Sequence, residues 1–392
     1  MSMIVLGKRA RFLSIKRYIP LALFFAVLFA LFIASTYAAQ LGSSLEQFLV
    51  KSEKTEIPEL KEILSSDQTT RLKGARALAE RVGPDEALEI VKDSGLPYTG
   101  EGHLAVHQIG FVAYEKYGVD SILHCKDYFL SACYHGAIIE AASDKGFDII
   151  KKMADRCRSF QPRYFQCVHA AGHAINAIWN YDLPKALQTC DGLFEEDTEF
   201  PDTLTSCHNG AFMENLFGVH DWGTANKPIR DWLKDDDYFF PCNGFGEKYQ
   251  KGCWLNQGAR IYQMEKGDLA ASAQICDTVE NSSYRDWCFD NLARQIHPLT
   301  ESDIGRVWSL CTLLGQNRAE GCVMINAMSY YSVGDRPLGI DVCNTMAPPA
   351  RSFCLEPVIN YLAVDNLIKE QKIELCTRMI GNDVNTCISK IG

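Results

Sequence analysis

The chain has 392 residues, 47% hydrophobic and 22% charged, with 39 basic and 49 acidic side chains and a net charge of −10. That balance excludes wholesale disorder and disfavours binding nucleic acid by phosphate neutralisation. Cationic partners or metal ions suit it better.

The first 39 residues stand apart. Lys8, Arg9, Arg11, Lys16 and Arg17 form a basic stretch without an acid, and Ile19 to Ala34 then runs uncharged and mostly apolar. This is the pattern of a signal peptide or a signal-anchor transmembrane helix. The apolar run is long for a signal peptide and slightly short of the roughly 20 residues of a spanning helix. Thr36 and Ala38 could serve a cleavage enzyme. Either reading leaves the basic end in the cytoplasm and everything after it outside, secreted or anchored to the cell membrane through the hydrophobic helix. Without those five basic residues the exported part carries about −15, which repels anionic lipid surfaces.

Residues 40–83 read as a helical spacer or cap, with helical character from Leu45 to Ala79. Pro84 to Asp93 and Glu101 to Tyr117 then form a first helix couple without thiols. From there cysteine dominates. Sixteen cysteines, none before Cys125, form eight successive pairs: Cys125/Cys133, Cys157/Cys167, Cys190/Cys207, Cys242/Cys253, Cys276/Cys288, Cys311/Cys322, Cys343/Cys354 and Cys376/Cys387. No C-x-x-C occurs, which disfavours zinc ribbons, thioredoxin-type motifs and c-type haem sites. An even count in an exported chain reads as disulfides.

The first members of the pairs recur about every 33 residues, except for one longer step between Cys190 and Cys242. A period of this length marks a stacked helical repeat. The long step reads as an insertion, roughly Gly218 to Tyr238, with Trp222, Trp232 and the run Asp235, Asp236, Asp237, and local packing is the reading for its aromatics, Tyr238, Phe239 and Phe240 included. It divides His-rich repeats at 84–217 from an insertion at 218–241 and cysteine-paired repeats at 242–392.

Within a unit, Asp148, Asp182, Asp268 and Asp303 are placed as N-caps of a first helix. The first Cys falls near the end of that helix, with an apolar residue three positions on (Leu193, Phe245, Val279, Leu314, Met346, Met379). The second Cys sits early in the following helix. Such a pair flanks one hairpin turn, where Cα atoms can approach the 5–6 Å a disulfide needs. Each closure is worth roughly 2–3 kcal/mol by loop entropy, which supports first helices too short to be stable alone.

The expected fold is therefore all-α: an α/α solenoid of about nine helical hairpins, eight of them stapled, preceded by the hydrophobic helix. Over about 84–392 this layout resembles tetratricopeptide-type repeats, and a disulfide in every hairpin is similar to cysteine-rich Sel1-like repeat proteins. The resemblance implies a solenoid that displays a groove for protein partners.

Familiar catalytic strings are absent: no G-x-S-x-G, no phosphate loop ending in Lys-Ser/Thr, no H-E-x-x-H. Histidine remains. Eight of nine lie between 103 and 220. His103 and His107 are four apart on one second helix, His169 and His173 four apart on another two repeats later, and His135 falls between them with Glu140 beyond it. The next unit gives His208, with Glu214 at the position that Glu140 holds relative to its cysteine. Residues four apart share a helix face, and neighbouring stacked helices lie about 9–10 Å apart. Six imidazoles in register can thus converge on one or two transition-metal ions. Nitrogen with some carboxylate suits zinc, iron, manganese or copper rather than calcium. Glu140 and Glu214 would be ligands or general bases, and a metal-bound water would open hydrolytic chemistry. Gly136, Gly172 and Gly210 would let the helices pack closely.

The competing reading makes each histidine a hydrogen-bonded packing residue and the protein an interaction scaffold or envelope structural element without metal. His124, His220 and His297 fall off the register and are assigned to surface or packing. Glu195, Glu196, Asp197, Glu199 and Asp202 read as a solvated turn rather than a calcium loop. Asn281-Ser282-Ser283 matches an N-glycosylation acceptor.

Overall fold

The computed structural model describes residues 57–97, 100–158, 163–197, 202–218, 232–300, 303–365 and 367–392. The N-terminal hydrophobic segment, the first part of the spacer, His220, Trp222 and Glu199 lie outside them. Among the described residues 78% is helical and none is strand, and no helix is long and apolar enough to cross a membrane.

Two helices, α1 (Pro58–Ile63) and α2 (Gln68–Val82), precede the repeats. Asp67 caps α2 by accepting the Thr70 N–H at 2.8 Å. The units then follow in chain order. The first pairs α3 (Pro84–Lys92) with α4 (Gly100–Tyr117). The second pairs a 3-10 helix (Gly118–His124) with α5 (Tyr128–Lys145), and the third pairs α6 (Phe147–Cys157) with α7 (Arg163–Ile178). Next come α8 (Leu183–Phe194) with α9 (Thr203–Phe217), and a 3-10 turn (Cys242–Gly244) with α10 (Glu247–Met264). The remaining units are α11 (Leu269–Asp277) with α12 (Ser282–Arg294), α14 (Gly305–Thr312) with α15 (Ala319–Ser332), α16 (Arg336–Asn344) with α17 (Ala350–Val364), and α18 (Lys369–Thr377) with α19 (Asn382–Ile391). A four-residue α13 (Ile296–Leu299) bridges α12 and α14.

Each second helix packs against the second helix of the next unit, from α4 and α5 through to α17 and α19. Each first element packs against the second helix of its own unit. The expected capping is seen at Asp182 and Asp268, whose carboxylates accept the N–H groups of Lys185 and of Ala270 and Ala271. Two placements differ. Asp148 lies inside the first turn of α6, which starts after Gly146 at φ 70°, a left-handed backbone that glycine adopts without strain. Asp303 precedes Ile304, the N-cap of α14, and its carboxylate accepts the Gly305 N–H instead.

All eight sequential cysteine pairs are disulfides. In the His-rich units Cys125–Cys133, Cys157–Cys167 and Cys190–Cys207 have Cα–Cα distances of 5.4, 6.4 and 5.8 Å. In the C-terminal units Cys242–Cys253 and Cys311–Cys322 stand at 5.6 Å, Cys276–Cys288 at 5.8 Å, and Cys343–Cys354 and Cys376–Cys387 at 5.5 Å. All sixteen cysteines are buried and none is free. They are structural links, and no thiolate is left to ligate a metal. Eight bridges point to an oxidising, extracytoplasmic environment.

The positions of the cysteines within their helices differ in part from the expected layout. Cys125 follows and Cys242 begins a 3-10 helix, in place of an α-helix. Cys322 is the fourth residue of α15 and Cys354 the fifth of α17, early as expected. Cys253 and Cys288 are each the seventh residue, of α10 and α12, and Cys387 is the sixth of the ten in α19. These three lie deeper than expected, because the second helix starts in the turn and climbs about 1.5 Å per residue back to the level of the first Cys. The apolar residues three positions past the first Cys are buried at Val279, Leu314, Met346 and Met379, whereas Phe194 rather than Leu193 fills that role in α8.

Candidate metal centre

The centre begins with glycine. A methyl carbon placed on Gly110 of α4 would stand 2.2 Å from the Cys133 carbonyl oxygen in α5, and one on Gly136 of α5 would stand 2.1 Å from that of His107 in α4. The same reciprocity links α7 and α9: a carbon on Gly172 would meet the Cys207 carbonyl oxygen at 2.1 Å, and one on Gly210 that of His169 at 2.0 Å. Each carbon reaches the residue three before the partner glycine. Because Cβ atoms tilt toward a helix N-terminus, this requires parallel helices touching backbone to backbone at glycine. The imidazoles of His107, His135, His169 and His173 stand within three residues of these glycines.

Five histidines meet there. α4 supplies His103 and His107, α5 supplies His135, and α7 supplies His169 and His173. They form two trios, His103/His107/His135 and His135/His169/His173, in each of which one ligand atom per residue lies within 4.8 Å of the others. His135 Nδ1 is 3.2 Å from His103 Nε2, and the Nε2 atoms of His173 and His169 are 3.0 Å apart. His107, His135 and His173 are buried, whereas His103 and His169 are half-buried.

Two further bonds set the tautomers. His103 Nδ1 lies 2.7 Å from the Phe129 carbonyl oxygen; donation to that acceptor leaves the Nε2 lone pair for a cation. Phe129, Leu130 and Ser131 hold left-handed backbone, with φ of 52°, 57° and 62°, at a cost of roughly 1–2 kcal/mol per residue. His173 Nδ1 lies 3.0 Å from Glu214 Oε2, both side chains fully buried. The other Glu214 oxygen accepts the Tyr181 hydroxyl at 3.1 Å, and the ring of Trp232, at the described end of the insertion, stacks on Tyr181 with centroids 5.5 Å apart. A carboxylate that takes the far N–H of an imidazole orients it and raises its basicity toward a metal.

Two residues expected at the centre are elsewhere. His208 belongs to neither trio: its Nε2 is 2.8 Å from Asp191 Oδ1, and Asp191 also accepts Tyr249 and Lys248 at 2.8 and 3.0 Å. The reason is register. His135 and His169 stand two residues after the second Cys of their units, His208 only one after Cys207, and one residue turns a side chain by about 100° around a helix. Asn209 holds the equivalent position. Burial holds the His208 imidazole below its ordinary value despite Asp191, while bonds from Lys248, Tyr249 and His208 outweigh burial and hold Asp191 low.

Glu140 is the second. It lines an open depression with Tyr114, Glu115, Gly118, Ser143 and Asp144, and burial, then the Glu115 charge, pushes its carboxyl up. Counting from the crossing glycines, the α4 counterpart of His173 is Phe111, so Glu140 meets no imidazole.

Of the off-register histidines, His124 and His297 lie within the described residues and pack as expected. His124 pairs with Asp85 at 2.6 Å and stacks on Tyr117, and His297 lies edge-on to Tyr330. Three acids at the described edges of the acidic turn are paired within the chain: Asp197 is bound by Arg158 and the Tyr164 hydroxyl, Glu195 by Lys248 and Asp202 by Lys251. Tyr181 and the Phe129 carbonyl were not foreseen; the first carries no distinguishing pattern and the second is a backbone atom.

No family model, curated protein or solved structure matches the chain.

Proposed function

We propose that this protein binds a transition metal outside the cytoplasm through the imidazoles of His103, His107, His135, His169 and His173. The convergence of the five from three parallel helices carries the reading. Three protein nitrogens with an open fourth position suit zinc, and imidazole suits copper and iron as well. Glu214 orients His173 and is not a general base. His208 and Glu140 take no part.

The helix-on-helix order extends into a solenoid whose C-terminal units offer a protein partner an apolar surface. Trp308, Leu313 and Phe353 are 40%, 48% and 54% exposed there. The N-terminal hydrophobic segment tethers the whole to the membrane or is cleaved.

The test is metal content of the full chain, purified without a histidine tag and equilibrated with zinc, copper(II) or iron(II) before gel filtration. Stoichiometric retention of at least one of them supports the reading. Sub-stoichiometric retention of all three overturns it. His173→Ala lowers retention and His208→Ala leaves it unchanged; equal effects would mean that the ion sits elsewhere.

A further inference from the structure

We infer that His135 is a bridging ligand, and that the centre holds two cations joined through its imidazole. This rests on the metal-binding reading above. α5 packs between α4 and α7, and each of those helices presents two histidines four residues apart. His135 is the one residue common to both trios. Its ring centroid lies 5.0 and 5.7 Å from those of His103 and His107 on one side, and 5.5 and 5.2 Å from those of His169 and His173 on the other. It stands steeply to the first pair, at 69° and 73°, and obliquely to the second, at 40° and 39°.

An imidazole has two nitrogens on different edges of the ring. Nδ1 faces His103 at 3.2 Å; the inference assigns that nitrogen to the first trio and Nε2, on the other edge of the ring, to the second. Five histidines thus give each of two ions three nitrogens, the shared ring counting twice. His103 and His173 each have Nδ1 turned to an oxygen acceptor, Phe129 and Glu214, and His107 and His169 each belong to one trio alone.

The bonding balances without a redox partner. Each nitrogen of His135 gives a lone pair to one cation, and the single ring proton leaves to water as the second cation binds. Both ions must be present for the imidazolate to persist.

Copper(II) titration of the full chain followed by electron paramagnetic resonance tests this. An imidazolate bridge couples two copper(II) spins antiferromagnetically. The signal therefore rises through the first equivalent and falls away through the second. A signal that saturates at one equivalent overturns the inference, and so does one that grows linearly through two. Either result leaves the proposed function standing, whereas no copper uptake overturns the inference and counts against that function. His135→Ala is the second arm: where circular dichroism shows the fold retained, residual copper gives additive signals without coupling. Coupling that survives His135→Ala overturns the assignment. If the variant does not fold, the wild-type titration decides alone.

Discussion

Replacing Gly136 by alanine separates packing from propensity. In an isolated helix the change stabilises by about 1 kcal/mol. Here the new carbon would lie 2.1 Å from the His107 carbonyl oxygen and 2.9 Å from the His107 Cα. Both are backbone atoms, so relief requires α4 and α5 to separate by roughly 1 Å; overpacking of this kind costs about 1–3 kcal/mol. The two effects oppose, so a net loss of up to about 2 kcal/mol is expected, or up to a few degrees in Tm. Gly321 in α15 is the control, because a carbon there meets nothing within 4 Å; Gly321→Ala keeps the propensity gain and raises Tm. Moving His107 away from His135 by such a distance also loosens the metal, by about 10-fold. Differential scanning calorimetry and metal competition read both. If Gly136→Ala were as stable as Gly321→Ala, with unchanged metal affinity, the backbone-to-backbone crossing would be refuted.

Glu214→Gln keeps the shape but weakens the acceptor for the His173 N–H, and is expected to lower metal affinity about 10–100-fold; chelator competition measures it, and an unchanged constant would remove Glu214 from the centre. Replacing Cys343 and Cys354 together by Ser should cost about 2–3 kcal/mol by the entropy of an 11-residue closure, read as a fall in denaturation midpoint while metal content stays constant. Acid sensitivity has a local component at His208. Burial lowers its folded-state value below 6.5, so the fold favours the neutral ring, and that stability is present above the unfolded value and lost as pH falls below it. His208→Gln should flatten stability between about pH 7 and pH 5, and an unaltered pH profile would contradict this.

The helix couples and their staples were legible because cysteine period and hairpin geometry constrain each other: a residue late in one helix and one near the start of the next can only meet across that turn. How far into the second helix the sulfur sits was less legible, since Cys322 and Cys387 share a separation of 11 from their partners yet fall at different depths. The histidine face was legible from the spacing of four in α4 and α7. What misled was treating His208 as equivalent to His135 and His169 on period alone, when counting from Cys207 puts it one position short. Glu140 shows a different limit. Its place matches that of Glu214, but a carboxylate's role depends on its neighbour across the crossing, Phe111 in one case and His173 in the other. The 3-10 elements before Cys125 and at Cys242 and the left-handed turn at Phe129 follow from packing beyond the reach of local pattern.

No staple has a sequence separation above the 17 of Cys190–Cys207, and the tightest has 8. Each bridge can therefore close as soon as its own hairpin has emerged on the oxidising side, without waiting for distant chain. The same arrangement leaves the links between hairpins free of covalent reinforcement. A protease that cuts inside a bridged turn leaves both pieces joined until a reductant is added, whereas one that cuts between hairpins releases two separate polypeptides at once. Cuts of the two kinds would be told apart by comparing non-reducing with reducing denaturing gels.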